Sequence, residues 1–173
     1  MGIIHFAGLG RSPGAVTSGL AYLKHEYENR SEYGQIIEGV VLFTSPEVAD
    51  GTERAFEVEH NEYGSLNVRQ TWPRGKTNAV EIVSKFFKRE IGQGTIYCCP
   101  VDVNDFRACF EAVAKATLKF HRPGEVGKHI WANITGGTNP LNAALLIYNY
   151  DIQGHCLDVQ AKLALLPYLI ILL

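Results

Sequence analysis

Two glycine-rich corners carry the residue types best suited to chemistry. One is Gly8-Leu9-Gly10-Arg11-Ser12-Pro13-Gly14 and the other Thr135-Gly136-Gly137-Thr138-Asn139-Pro140. Each follows a short apolar run and precedes an amphipathic stretch, so each reads as a strand, a turn and a helix. Glycine lets the backbone approach a ligand closely, and the amides of a helix's first turn point outward with partial positive charge. Corners of this kind suit phosphate or another anion, and two in one small chain point to a shared pocket.

Other chemistries fit the residues less well. For a dinucleotide cofactor, the spacing of Gly8, Gly10 and Gly14 misses GxGxxG by one residue and Pro13 occupies the critical turn. The second strand also ends in Phe43-Thr44-Ser45, without the carboxylate that would hold a ribose. Arg74-Gly75-Lys76-Thr77 resembles the tail of a phosphate-binding loop, yet Gln70 stands where that loop's first glycine belongs. The cysteines at 98, 99, 109 and 156 form no CxxC pair, and no histidine lies at zinc-finger spacing, so no metal site is expected. None of the six histidines falls inside either corner, and His5, within the first apolar run, reads as core or strand-end structure.

The elements that must position the corners follow from periodicity. Apolar runs at Ile3–Ala7, Ile36–Phe43, Leu66–Trp72, Thr95–Val101 and His129–Thr135 predict strands. Helical patterns occupy Ala15–Tyr27, Pro46–Glu62, Thr77–Ile91, Val103–Phe120 and Pro140–Tyr150. Strand and helix therefore alternate, and Val40-Val41-Leu42-Phe43 is apolar on successive residues, as a strand covered on both faces requires. The expected fold is α/β and Rossmann-like: a doubly wound, mainly parallel sheet with helices on both faces. Short strands near His155–Gln160 and Tyr168–Leu173 are expected to close the chain. In such sheets ligands bind at the carboxyl ends of strands where the winding reverses. If the strand at His129–Thr135 lies beside that at Ile3–Ala7, then Ser12, Gly14, Gly136, Gly137 and Thr138 converge on one anion-sized space.

Length and composition bound the function. The 173 residues suit one domain spanning 1–173, and 46% apolar with 20% charged residues is an ordinary globular balance. A net charge of −2 and a pI near 6.3 disfavour long nucleic acid as a partner and leave a small anionic ligand as the better fit. Met1-Gly2-Ile3-Ile4-His5 has neither a charged leader nor a signal-length apolar run, so a cytoplasmic location is expected. The apolar stretch Leu163–Leu173 contains Pro167 and is shorter than the roughly 20 residues a spanning helix needs, so no membrane association is expected.

Taken together, the corners resemble a known family. Ile4 to Ser18, with Leu9-Gly10-Arg11-Ser12-Pro13-Gly14 and Val16-Thr17, resembles the first motif of the CRISPR-associated Rossmann fold, or CARF, domain. Trp131-Ala132-Asn133-Ile134-Thr135-Gly136-Gly137-Thr138 resembles its second, and the likeness covers roughly residues 1–150. The resemblance implies a two-fold homodimer that binds a cyclic tetra- or hexa-adenylate, the second messenger of type III CRISPR antiviral defence. A ring of identical nucleotides is itself two-fold symmetric, so each half of the dimer can offer it the same contacts. Carried over by motif position, Gly10, Arg11, Ser12 and Gly14 line one part of the site and Thr135, Gly136, Gly137, Thr138 and Asn139 the other.

Most CARF proteins carry an effector domain, and none is expected within these 173 residues. The chain is similar instead to stand-alone CARF proteins that degrade the messenger, the ring nucleases. Their cleavage needs no metal or other cofactor, because an adenosine 2′-hydroxyl attacks the adjacent phosphorus and the protein supplies geometry and charge. That resemblance gives Ser12 and the amides near Gly136 and Gly137 the task of holding the phosphate, and Arg11 that of neutralising charge. Asn139 stands where the family's second motif often carries a lysine; it donates a hydrogen bond without charge, leaving Arg11, Arg74 or Lys76 to substitute. The alternatives are a messenger sensor or sponge that works without cleavage through a separate effector, and an NAD(P)-dependent Rossmann oxidoreductase.

Overall fold

The computed structural model describes residues 2–29, 36–53, 55, 57–60, 66–69, 77–120 and 129–154. Strand β1 (Gly2–Leu9) is buried at every position. It pairs in parallel with β2 (Ile36–Thr44) on one side and β6 (His129–Asn133) on the other, while β5 (Thr95–Pro100) adds to the far edge of β2. The strand order is β5-β2-β1-β6, all parallel.

Alternation along the two inner strands builds a separate core on each face. Ile3, Ala7, Leu9, Val40 and Leu42 pack with α1 (Gly14–Asn29), α2 (Pro46–Asp50) and α3 (Ala79–Glu90). Ile4, Phe6, Val41 and Phe43 pack with α4 (Phe106–Phe120) and α5 (Asn139–Gly154). Helices thus cover both faces, and the successive apolar residues of β1 and β2 are needed because neither face meets water. The doubly wound, Rossmann-like expectation holds.

Two expectations are corrected. The helix expected over Pro46–Glu62 ends at Asp50, where Gly51 takes a left-handed φ of 82° as its C-cap. Glu57–His60 then forms β3, antiparallel to β4 (Leu66–Arg69), in a two-stranded sheet of its own. The run Glu-Val-Glu-His alternates with the strand period of two, a signal that the longer helical pattern obscured. The strand expected at Leu66–Trp72 accordingly lies outside the parallel sheet, with residues 70–72 beyond the described ones. Helix α5 runs on to Gly154, and the expected strands at 155–160 and 168–173 lie outside the described residues. Among the described residues, no helix is long and apolar enough to cross a membrane.

Candidate anion site at the two glycine corners

The parallel pairing of β1 with β6 runs from Ile3↔His129 to Ala7↔Asn133. Strands β2 and β5 lie to one side of β1 and β6 to the other, so the winding reverses between β1 and β6. Both corners leave the sheet there. Gly10, Arg11 and Ser12 form the turn into α1 with Gly14 as its first residue, and Thr135–Thr138 form the turn into α5 with Asn139 as its first residue.

The two backbones touch. A Cβ on Gly136 would stand 2.5 Å from the Gly8 carbonyl oxygen, and one on Gly8 would stand 2.8 Å from the carbonyl oxygen of Gly136. Only residues without a side chain allow that approach, and Gly137 adds a left-handed φ of 84°. Ser12, Gly14, Thr135, Gly137 and Asn139 are exposed, while Gly10, Arg11, Gly136 and Thr138 are half-buried.

Two polar residues that the sequence reading did not single out fix this contact. Asn133, buried at the end of β6, donates from Nδ2 to the Ala15 carbonyl at 3.1 Å. Its Oδ1 accepts from the Thr135 amide at 2.9 Å and from the Thr135 hydroxyl at 2.5 Å. Thr44, buried at the end of β2, donates its hydroxyl to the Leu9 carbonyl at 2.6 Å. Each is a polar residue closing an apolar strand, and that was the available signal.

The helices differ in how their first turns are satisfied. Ser45 Oγ accepts from the Val48 amide in α2, Asn78 Oδ1 from the Val80 amide in α3, and Asp105 Oδ1 from the Arg107 amide in α4. For α1 and α5, no side chain among the described residues takes that role. The Pro13 carbonyl opens α1 by accepting from Val16 and Thr17, and the Thr138 carbonyl opens α5 by accepting from Asn142. The Thr138 hydroxyl turns aside to donate to the Val103 carbonyl in the β5–α4 loop. Helices leave their first amides without an internal partner, so the two that follow the glycine corners present donors outward together. Thr135 has committed its amide and its hydroxyl to Asn133 and Thr138 its hydroxyl to Val103, which leaves the Thr138 backbone amide, the Ser12 hydroxyl and the Asn139 side-chain amide as donors for an anion.

The thiols of the described cysteines are not activated. Burial raises the thiols of Cys98 and Cys99 and, with Asp105 and Asp102 adding to it, pushes Cys109 up to about 11. All three are therefore neutral thiols near pH 7. Among the described residues, no group of three His, Cys, Asp or Glu side chains could hold a metal ion. Arg74 and Lys76 lie outside the described residues, so Arg11 is the described cation within the corners.

No protein-family model matches the chain. It is 28% identical over 174 residues to an uncharacterized protein of Archaeoglobus fulgidus, an alignment that takes in 84% of this chain and 52% of that protein. The chain thus spans about half the length of the curated relative it matches. Among solved structures, it is similar to Enterococcus italicus Csm6 bound to cyclic hexa-2′-fluoro-hexa-dAMP, with a TM-score of 0.50 and 16% identity over 84% of this chain and 30% of Csm6. The shared fold is α/β and Rossmann-like, built on the parallel sheet β5-β2-β1-β6. Within that frame the β1 and β6 corners occupy the switch point of the sheet, where an α/β domain of this winding receives its ligand.

Proposed function

We propose that the chain is a CARF domain that binds a cyclic oligoadenylate across two copies of itself, with one phosphate of the ring held at each pair of corners. The observation that carries this reading is the pairing of two helix N-termini, α1 and α5, that no described side chain caps, through backbone contact between Gly8 and Gly136. Likeness to a Csm6 structure holding a cyclic hexanucleotide supports the ligand class. The oxidoreductase reading is weaker, because Thr44 stands where a ribose-binding carboxylate belongs and its hydroxyl is bonded to Leu9.

We further propose that the bound ring is opened without metal. The adenosine 2′-oxygen attacks the adjacent phosphorus as the bond from phosphorus to the 5′-oxygen breaks. The 2′-hydroxyl loses its proton and the departing 5′-oxygen gains one, giving a 2′,3′-cyclic phosphate and a 5′-hydroxyl. Ser12 and the corner amides align the phosphate and Arg11 offsets its charge. Binding without cleavage is the second reading, favoured by the uncharged Asn139 at the start of α5.

Calorimetry with cyclic tetra- and hexa-adenylate, and with a 2′-fluoro ring that lacks the attacking hydroxyl, measures binding apart from reaction. Chromatography after incubation in EDTA then decides the rest. Linear adenylates with cyclic phosphate ends establish ring opening, intact bound rings establish a sensor or sponge, and NAD retention with no ring bound establishes the oxidoreductase.

A further inference from the structure

Strand β5 ends the parallel sheet on the side away from β6: it pairs with β2, and no described strand lies beyond it. Two contacts show which of its backbone groups face that open side. The Val101 amide, just past the strand, donates to the Thr44 carbonyl at 2.8 Å. The Thr95 carbonyl oxygen lies so near β2 that a Cβ on Gly39 would stand 2.8 Å from it. Successive residues of a strand turn their N–H and C=O groups to opposite edges, so Thr95, Tyr97, Cys99 and Val101 face β2. Ile96, Cys98 and Pro100 therefore face outward. A proline, which has no N–H to give a neighbour, suits that position on an edge.

Proteins normally blunt such an edge with charged residues on the strand, a bulge or a covering element. Here Thr95-Ile96-Tyr97-Cys98-Cys99 carries no charge, its register with β2 advances residue by residue, and Thr95, Cys98 and Pro100 are exposed. Beside the edge a groove of about 820 Å³ runs between β5 and α4, with Tyr97, Ala112, Ala116 and Phe120 as a half-buried apolar floor.

Charge points to the occupant. Helix α4 runs back along β5, since Cys109 Sγ donates to the Asp102 carbonyl beyond the strand's carboxyl end and Lys119 Nζ lies 4.9 Å from the ring centre of Tyr97, in its amino half. The charged lining residues are thus sorted along the groove, with Asp102 and Glu111 toward the carboxyl end of β5 and Lys115 and Lys119 toward its amino end. Glu111 also contacts Arg107 and Lys115, but exposed pairs of this kind are worth little by themselves. A two-fold mate running antiparallel presents the opposite order, so that acid meets base at both ends, as a self-complementary contact requires.

We propose that the open edge of β5 and its groove form an interface between two copies of this chain, with β5 pairing antiparallel to its own mate so that the two sheets continue into one. The axis passes at Tyr97 or Cys98, the registers that pair both the Ile96 and the Cys98 amides. The interface shares no residue with the glycine corners and does not rest on what they bind.

The full chain without ligand is followed by sedimentation equilibrium and by amide hydrogen exchange. A concentration-dependent dimer is expected in which the Ile96 and Cys98 amides are protected. Dilution to monomer should speed their exchange by at least about tenfold, while the Tyr97 and Cys99 amides, held by β2, keep their protection. Cys98→Lys, at an exposed position, sets like charges near each other across the axis and should weaken the dimer by at least about tenfold. A chain that stays monomeric at about 1 mM, where an association of millimolar Kd already shows, overturns the proposal and leaves the edge to an extended segment of a different protein. A dimer whose Ile96 and Cys98 amides exchange as fast as in the monomer also overturns it, because the copies then meet elsewhere, and that measurement needs no variant to fold. An unchanged dissociation constant in folded Cys98→Lys has the same meaning.

Discussion

The side-chain amide of Asn133, at the end of β6, donates to the carbonyl of Ala15 in the first turn of α1, 3.1 Å away and 118 residues earlier in the chain. One side chain thus joins the strand leading into the second corner to the helix leaving the first. Its other end holds Thr135, so the geometry of both turns passes through it.

Replacing Asn133 with leucine should therefore cost about 1–3 kcal/mol in urea unfolding, because the Ala15 carbonyl and the Thr135 amide lose their partner. Calorimetry should show a loss of ring affinity larger than that of any single exposed corner residue. Unchanged affinity in a folded variant would show that the two corners act independently.

Glycines of the two corners should respond oppositely to alanine. At Gly136 the added methyl group meets a carbonyl oxygen at 2.5 Å, and overpacking against backbone costs about 1–3 kcal/mol. At Gly10 nothing lies within 4 Å of the added atom, so Gly10→Ala should stay within about 0.5 kcal/mol of the wild type. Thermal and urea unfolding of the pair checks this, and equal losses would contradict the contact between Gly8 and Gly136.

Ser12→Ala should slow ring opening by on the order of 10²-fold while weakening binding far less, because a donor aligned on the reacting phosphate matters most in the transition state. Single-turnover rates at saturating ring, set against calorimetric affinities, separate the two. Equal fractional losses would remove Ser12 from that role. Asn139→Lys should act in the other direction, raising the rate by adding a charged donor at the start of α5.

Acid should destabilise the fold through His5. Its value is about 4 when folded against 6.5 for the free side chain, so between those pH values the unfolded chain binds the extra proton. Stability is fully present above pH 6.5 and falls as the pH drops toward 4, by up to about 3 kcal/mol at 1.36 kcal/mol per pH unit. His5→Phe should flatten this part of the stability profile, and urea midpoints measured from pH 7 to pH 4 for both proteins would show it. Parallel profiles would mean that His5 is not the group responsible.

Much of the frame was legible because β1 and β2 are apolar on successive residues, as strands covered on both faces are. Both corners were legible too, since Pro13, Gly14, Gly136, Gly137 and Pro140 punctuate the chain regardless of what surrounds them. The adjacency of β1 and β6 was open, because strand order depends on tertiary packing between segments more than 100 residues apart. Asn133 and Thr44 escaped notice for the same reason, as their partners Ala15 and Leu9 are neighbours only in space. The hairpin at β3 and β4 was hidden behind a helical pattern that Gly51 cuts short.

Strand β1 is shielded by helices above and below and by a hydrogen-bonded strand on either edge. Amide protons so enclosed exchange with solvent only when the whole domain opens, at a free energy near that of global unfolding. The first corner begins at the end of that strand and the second is tied to it through β6 and Asn133. Whatever binds there meets a rim mounted on a fully buried, doubly paired strand, so little ordering entropy remains to be lost on capture.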